Sequence, residues 1–222
     1  MTTTPVVTES VSGSPVVAGI VPDVTGLDRV FDYLVPPSLT DVVVLGSRVR
    51  MSLNGRRVGG WVVSLGSPSS DLATSRLKSI DKSSGIGPDA EMLDLCRWAS
   101  DRWCASRLRP FLVTASPNTV VTRASPARRT KVLAEPVSPA ATSLLAQGGG
   151  VLRLPPSADQ MPTVLAAARL GPTLVVCASV DNAQILATRL RRTGISVALM
   201  PHEWAQARGG VDVVIGARAA AF

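Results

Sequence analysis

The sequence predicts a mixed α/β chain with two parts of different character, and three observations predict it. Between Asp23 and Gly66, short apolar or alternating stretches are separated by turn residues, which is typical of a small antiparallel sheet. From Val151 onwards, apolar stretches alternate with helix-like stretches, as in a parallel sheet with crossover helices. Residues 117–150, between these parts, are rich in Pro, Ser, Ala and Gly and therefore indicate a linker.

The N-terminal part begins with a predicted strand over residues 15–21, after a Thr/Ser-rich start (residues 1–14) that we expect to be disordered. A strand at 31–35 ends at two prolines, which cannot donate to a ladder. Asn54-Gly55 is a strong hairpin signal because both residues tolerate positive φ. The remaining predicted strands are 48–51, 58–65 and a short one at 76–80, and 83–87 is predicted to be a loop.

Two helices are predicted to complete this part. Pro88 suits the first helical turn, and acidic residues follow it where the helix dipole favours them. Met92, Leu95, Cys96, Ala99 and Trp103 form a predicted buried stripe, which makes Cys96 and Cys104 packing residues and not nucleophiles. A second helix is expected near 106–113, and all four tryptophans are expected in the core or at its boundary.

Composition restricts the functional classes. One histidine and three cysteines without a C-x-x-C spacing predict no metal site, no cofactor and no disulfide framework. Neither a signal peptide nor a membrane span is present, so we expect a soluble cytoplasmic protein. The net charge is +7, and a G+C-rich genome explains this total as well as an acidic partner does. The local arginines are more informative: Arg48, Arg50, Arg56 and Arg57 lie on or beside the predicted hairpin and indicate a phosphate-facing surface.

Three blocks in this part, D-R-V-F-D-Y-L-V-P, V-L-G-S-R-V-R and G-R-R-V-G-G-W-V-V, resemble the start of the primosomal protein N′ (PriA) family. A later block with Leu77-Lys78 agrees. The resemblance implies a 3′-DNA-binding domain over residues 15–116, which captures the 3′ end of the nascent leading strand at a stalled fork. It also implies fork DNA as a partner, together with other primosome proteins and single-strand DNA-binding protein.

The resemblance further implies a terminal-base pocket formed by Phe31, Asp32, Gly55 and Lys78. An aromatic ring can stack on a base, a carboxylate accepts from base or ribose donors, a turn lets the backbone approach, and a lysine meets phosphate. Asn54 is an alternative to Gly55 as the turn residue. By pattern alone, Asp32 could equally be a solvent-facing strand residue.

The C-terminal part resembles the first helicase lobe of the same family, over residues 151–222. The predicted strands are 151–155, 173–178, 195–200 and 211–215, and the predicted helices are 160–170, 180–192 and 202–208. An active lobe has G-x-x-x-x-G-K-[ST] after its first strand, whereas Leu154 is followed here by PPSADQMPT. We therefore expect no nucleotide-binding and no catalytic residues.

The predicted protein is thus a small β-rich 3′-DNA-binding domain with a helical hairpin, followed by a partial helicase-like lobe. It resembles the helicase-deficient branch of high-G+C Gram-positive bacteria, with the chain truncated after the first lobe. The expected function is recognition of stalled-fork DNA in replication restart, without helicase activity of its own. The alternatives are an ATP-dependent helicase with an unrecognised nucleotide site, a protein-interaction scaffold, and a decayed fragment with a vestigial pocket.

Overall fold

The computed structural model describes residues 15–66, 74–103, 107–130 and 136–222. The expected disorder of residues 1–14, the side chain of Cys104 and the start of the predicted 106–113 helix lie outside the described residues. The fold is mixed α/β, as the sequence predicts, with an antiparallel sheet in the N-terminal part and a separate parallel sheet in the C-terminal part.

The N-terminal part is a five-stranded antiparallel sheet with two helices on one face. Its strand order is β2-β1-β4-β3-β5. Two short 3-10 helices, Pro37–Leu39 and Thr74–Arg76, lie in the connections. The elements are β1 (Val17–Pro22), β2 (Phe31–Leu34), β3 (Arg48–Leu53), β4 (Arg56–Gly66), β5 (Lys82–Gly85), α1 (Ala90–Trp103) and α2 (Arg109–Thr114).

The sheet buries both of its faces. One face forms a core of aliphatic residues around Ile20, Met51 and Val62. The other face packs Trp61 against Leu93 of α1 and Leu112 of α2. The exposed positions of β3 and β4 lie near the hairpin, at Arg50, Arg56 and Arg57, and at the C-terminal end of β4. The residues of β2 are half-buried or buried.

The backbone at Gly46 fixes the approach of the loop before α1. Gly46 has φ +81°, and a Cβ atom there would lie 1.5 Å from the carbonyl oxygen of Pro88. A residue with a side chain would therefore need both the left-handed conformation and a displaced neighbour. The close contact holds the N-terminus of α1 against the start of β3.

The C-terminal part contains a three-stranded parallel sheet of order β6-β8-β7, with α4 and α5 packed on one face. Ser179 caps α5 by accepting a hydrogen bond from Asn182 N at 3.2 Å, and Gly194 with φ +85° follows the end of that helix. The elements are α3 (Pro139–Ala146), α4 (Met161–Leu170), β6 (Thr173–Val176), α5 (Val180–Arg192), β7 (Val197–Leu199), α6 (Trp204–Gly209), β8 (Val213–Gly216) and a 3-10 helix (Arg218–Ala221).

Several elements differ from the sequence predictions. Residues 151–155 are not a strand, because no described segment pairs with them. Pro155, at the end of this range, and the next residue, Pro156, also cannot donate to a ladder. The predicted loop at 83–87 instead contains β5, since pairing with β3 overrides the weak strand propensity of K-S-S-G. The second helix covers Arg109–Thr114 and not 106–113.

The buried stripe of α1 also differs from the prediction. Its buried residues are Leu93, Cys96, Ala99 and Ser100, whereas Trp103 is 61% exposed. The helix is therefore rotated relative to the predicted stripe, because Leu93 and not Leu95 contacts the sheet core. Trp61 and Trp204 are buried, but Trp98, like Trp103, is exposed.

Two described parts of the predicted linker, 117–130 and 136–150, form hydrogen bonds. Residues 117–130, which we call the strap, follow a hydrogen-bonded path from the N-terminal sheet to the C-terminal lobe. Further along, Ser138 caps α3 by accepting from Ala141 N at 3.2 Å. The composition predicted a linker, and the structure adds hydrogen bonds that hold the strap against both parts.

Candidate nucleic-acid interface

The candidate site begins with β2, which carries Phe31 and Asp32 on neighbouring positions. β2 pairs with β1, with Phe31 opposite Ile20 and Asp32 opposite Gly19. Phe31 is half-buried and packs against the aliphatic core. Asp32, one position along, is also half-buried, and β2, which carries both residues, is an outermost strand of the sheet.

The strand predicted at 76–80 is not formed. Isolated backbone hydrogen bonds to Leu34 nevertheless hold Lys78 beside β2. Leu34 N donates to Lys78 O at 2.9 Å, and Ile80 N donates to Leu34 O at 2.9 Å. Asp81 N then donates to Arg50 O in β3 at 2.9 Å. The segment leading into β5 thus bridges both edges of the sheet, and this bridge places Lys78 beside β2.

These residues line one open cavity of about 520 Å³. Phe31, Asp32 and Lys78 converge there although Lys78 is far from the other two in sequence. The hairpin contributes Asn54, with φ +50°, to the lining, whereas Gly55 is absent from it. The structure thus places the turn residue expected as the alternative, and not Gly55, against the cavity.

Arg29 and Arg76 also line the cavity, and the sequence analysis missed both. The Arg29 guanidinium lies over the Phe31 ring, 5.5 Å from its centroid, which is a cation–π distance. Arg29, Arg76 and Lys78 give the cavity three cationic side chains beside one carboxylate, Asp32. The signal that could have identified the two arginines is their spacing, two residues before Phe31 and two before Lys78.

Tyr33 also lines the cavity and joins two of the strands that form it. Its hydroxyl donates to Ser52 O at 2.8 Å, which ties β2 to the end of β3. Burial, and secondarily the negative charge of Asp81, raises the pKa of the Tyr33 phenol. The phenol therefore stays protonated and keeps its donor role at neutral pH.

The four hairpin arginines do not form one surface. Arg48, Arg50 and Arg57 line a separate cavity of about 290 Å³. The Arg48 guanidinium interacts within the protein. It forms an ion pair with Asp23 at 3.7 Å and lies 5.4 Å from the centroid of the Trp61 ring, a cation–π distance.

Three hairpin arginines remain accessible to a ligand. Arg50 and Arg56 are exposed. Arg57 Nε donates a hydrogen bond to Asp81 Oδ2 at 3.1 Å, but the Arg57 side chain is 76% exposed. Arg50, Arg56 and Arg57 are therefore the hairpin side chains that can meet a phosphate backbone.

Other candidate chemistry is limited in the described part of the chain. Burial raises the pKa of the Cys96 thiol to about 11, so the thiolate needed for nucleophilic attack is scarce at neutral pH. Among the described residues, no group of three or more His, Cys, Asp and Glu side chains could hold a metal ion. In the same residues, no helix is both long and apolar enough to span a membrane.

Part of the chain matches a known protein family. Residues 19–115 match the family model of the PriA 3′DNA-binding domain (3′BD). The match covers the antiparallel sheet, α1 and α2, and thus includes the entire cavity at β2. No curated protein matches the chain. The family match supports a PriA-like protein whose partner is DNA.

Proposed function

We propose that this chain recognises stalled-fork DNA in the cytoplasm through the 3′ end of the nascent strand and so acts in replication restart. The observation that carries the proposal is the convergence of Phe31, Asp32 and Lys78 on one cavity, inside the region that matches the 3′DNA-binding domain. The cavity volume of about 520 Å³ lies within the usual range for small-molecule sites, about 300–1,000 Å³. One terminal nucleotide is an occupant of suitable size.

The chemistry of the cavity suits a strand terminus. Phe31, with the Arg29 guanidinium over its ring, offers a stacking surface to the last base, and Lys78 with Arg76 attracts the phosphates that precede it. Asp32 accepts hydrogen bonds from base N–H groups or from the ribose hydroxyl. A terminal 3′-phosphate would place a second negative charge near Asp32, so a free 3′ hydroxyl should bind more tightly.

General affinity for DNA should come from the exposed hairpin arginines. Arg50, Arg56 and Arg57 can contact phosphates without reading sequence. Affinity should then fall with salt, by about 0.7 to 0.9 in log K per unit of log salt for each phosphate contacted. Charge reversal at Arg56 and Arg57 should weaken binding to all DNAs alike.

We also propose that the chain has no helicase activity of its own. The first turn of α4 is the position at which a nucleotide-binding lobe would hold phosphate with free amides. Here Met161 N donates to Asp159 Oδ1 at 3.0 Å, and Pro162 has no amide hydrogen. Asp159 also forms a two-point ion pair with Arg189, at 2.9 and 2.6 Å. The chain's own carboxylate therefore occupies the place that an anionic phosphate would need.

A protein-interaction scaffold is the second candidate function, and one observation favours it. Trp98 and Trp103 are 57% and 61% exposed, and their rings form an edge-to-face pair with centroids 5.0 Å apart. Exposed aromatic pairs are common at protein interfaces. Other primosome proteins or single-strand DNA-binding protein would be the partners in this case.

Fluorescence anisotropy with two matched forks tests the first function. One fork carries a 3′-hydroxyl and the other a 3′-phosphate on the nascent strand. The proposal predicts tighter binding to the hydroxyl fork, with a strong dependence on salt for both. Equal affinity would favour the scaffold function. Calorimetry with Mg-ATP tests the proposal that the chain has no helicase activity of its own. Saturable binding at millimolar nucleotide would contradict that proposal.

A further inference from the structure

The strap has a fixed path across the molecule, although its composition predicted a linker. Backbone groups bond it to the N-terminal part at one end and to the C-terminal lobe at the other. Two glycines permit its close approach, because a Cβ atom at Gly85 would lie 2.6 Å from Val121 O and one at Gly209 would lie 1.9 Å from Ser125 O. The bonds are Ile86 N to Val121 O (2.8 Å), Ser125 N to Ala205 O (2.9 Å) and Arg128 N to Gly210 O (2.8 Å).

Asp212 anchors the far end of the strap. Its carboxylate is 8% exposed and accepts hydrogen bonds from Thr130 N, at 3.0 Å to each oxygen. It also accepts from Ser196 N at 3.0 Å and from Ser196 Oγ at 2.7 Å. All of these donors are neutral, so the carboxylate keeps its negative charge but forms no ion pair with an arginine of the described residues.

Three arginines project from the strap. Arg123, Arg128 and Arg129 are exposed, and within the described ranges their guanidinium groups form no ion pair and no hydrogen bond; Arg128 uses only its backbone, whose oxygen accepts from Ser196 Oγ. Arg128 and Arg129 line a polar cavity of about 730 Å³ together with Ser196, Gln206 and the ion pair of Arg191 with Glu203. Because Glu203 is already paired with Arg191 and accepts from Leu199 N at 2.6 Å, this cavity keeps a surplus of positive charge.

The near end of the strap reaches the hairpin surface. Val120 lines the same cavity as Arg50 and Arg57. From Val120 to Arg129 the chain can span at most about 30 Å, which is less than one turn of duplex DNA at about 34 Å. The strap arginines and the hairpin arginines therefore lie close enough together to contact a single duplex arm.

We propose that the strap is a second DNA contact, in which Arg123, Arg128 and Arg129 bind phosphates of a double-stranded arm. This inference rests on the proposed DNA-binding function and adds a site to it. A duplex is favoured over a single strand because residues 117–130 contain no aromatic side chain on which bases could stack. Phosphate contacts alone suffice to hold a duplex in place.

The test compares the full chain with the triple variant Arg123→Ala/Arg128→Ala/Arg129→Ala and with Arg102→Ala/Arg153→Ala/Arg192→Ala, a matched loss of three exposed arginines outside the strap. The probes are a fork with a duplex arm of about two helical turns, a fork with a much shorter arm, and a single strand with the same 3′ end. Circular dichroism and thermal unfolding verify that each variant is folded.

The proposal predicts that the triple variant loses the affinity gained from the long arm. Loss of three phosphate contacts should reduce the salt slope by about 2.7 and weaken binding at about 0.2 M salt by roughly 10- to 100-fold. Unchanged affinity and slope for the long-arm fork would overturn the proposal, as would an equal loss for the single strand. The ratio between 3′-hydroxyl and 3′-phosphate forks, measured on the same samples, should be unchanged, because it reports the β2 cavity alone.

Discussion

Replacement of Asp212 by alanine tests how the strap is held to the C-terminal lobe. The substitution leaves two backbone N–H groups, those of Thr130 and Ser196, without their acceptor. A buried donor that loses its partner costs about 1–3 kcal/mol. Two such donors give an expected loss of about 2–6 kcal/mol in the free energy of unfolding for Asp212→Ala.

The pKa of Asp212 provides a second signature of the same interaction. Burial acts to raise this pKa, but hydrogen bonds from Ser196 and Thr130 outweigh burial and lower it. Since the folded-state pKa is depressed, the carboxylate stabilises the fold fully above its unfolded pKa of about 3.9. This stabilisation is lost as the pH falls through the folded-state pKa. Asp212→Asn should remove that acid-dependent component.

Urea unfolding followed by circular dichroism, together with hydrogen exchange at the Thr130 amide, measures both effects. The matched control is Asp159→Ala, which removes a carboxylate of the same lobe whose side chain is 45% exposed. An exposed ion pair contributes little to stability because solvent screens it. Loss of the hydrogen bond from Met161 N to Asp159 costs about 1 kcal/mol, so the control should be destabilised less than Asp212→Ala. The reasoning is refuted if Asp212→Ala destabilises no more than Asp159→Ala, or if exchange at Thr130 is unchanged.

Further predictions concern backbone fit and thiol reactivity. Gly55→Ala should cost about 1–2 kcal/mol for the left-handed backbone alone, because nothing lies within 4 Å of a Cβ atom there. Gly46→Ala should cost about 1–3 kcal/mol more from its clash with Pro88 O, and equal losses in thermal unfolding would contradict the close contact. Cys96 should resist maleimide in the native protein and react in denaturant, because its pKa is about 11 and its side chain is buried; labelling at equal rates, measured by peptide mass spectrometry, would contradict its packing role.

Local pattern predicted much of the fold because it reflects local physics. The Asn54-Gly55 turn and the alternation in β3 follow from backbone conformation and side-chain period, and both are present. β5 and the ordered strap depend on hydrogen bonds between residues distant in sequence, which composition does not encode. The stripe of α1 was predicted from one helix alone, whereas the sheet that it packs against selects Leu93.

The candidate site was predictable in part for a related reason. Phe31 and Asp32 lie in a distinctive block, and Lys78 was proposed from the resemblance. The spacing of Arg29 and Arg76, two residues before Phe31 and two before Lys78, is visible in the sequence. Their meeting in one cavity depends on the pairing of residues 78–81 with β2 and β3, which the sequence does not show. The internal contacts of Arg48 are equally invisible, since its neighbour Trp61 belongs to the next strand.

The central claim is that the β2 cavity recognises a free 3′ end, and one measurement tests it most directly. It is the ratio of dissociation constants for 3′-phosphate and 3′-hydroxyl forks, measured for the wild type, Asp32→Ala and Asp41→Ala. Asp41 is an exposed acid outside the cavity. Its removal makes the same change in net charge as Asp32→Ala but leaves the cavity lining unchanged. The account predicts that wild type and Asp41→Ala prefer the free end, and that Asp32→Ala loses about 1–3 kcal/mol of that preference while retaining general affinity. A ratio near one in the wild type, or a ratio unaffected by Asp32→Ala, would contradict it.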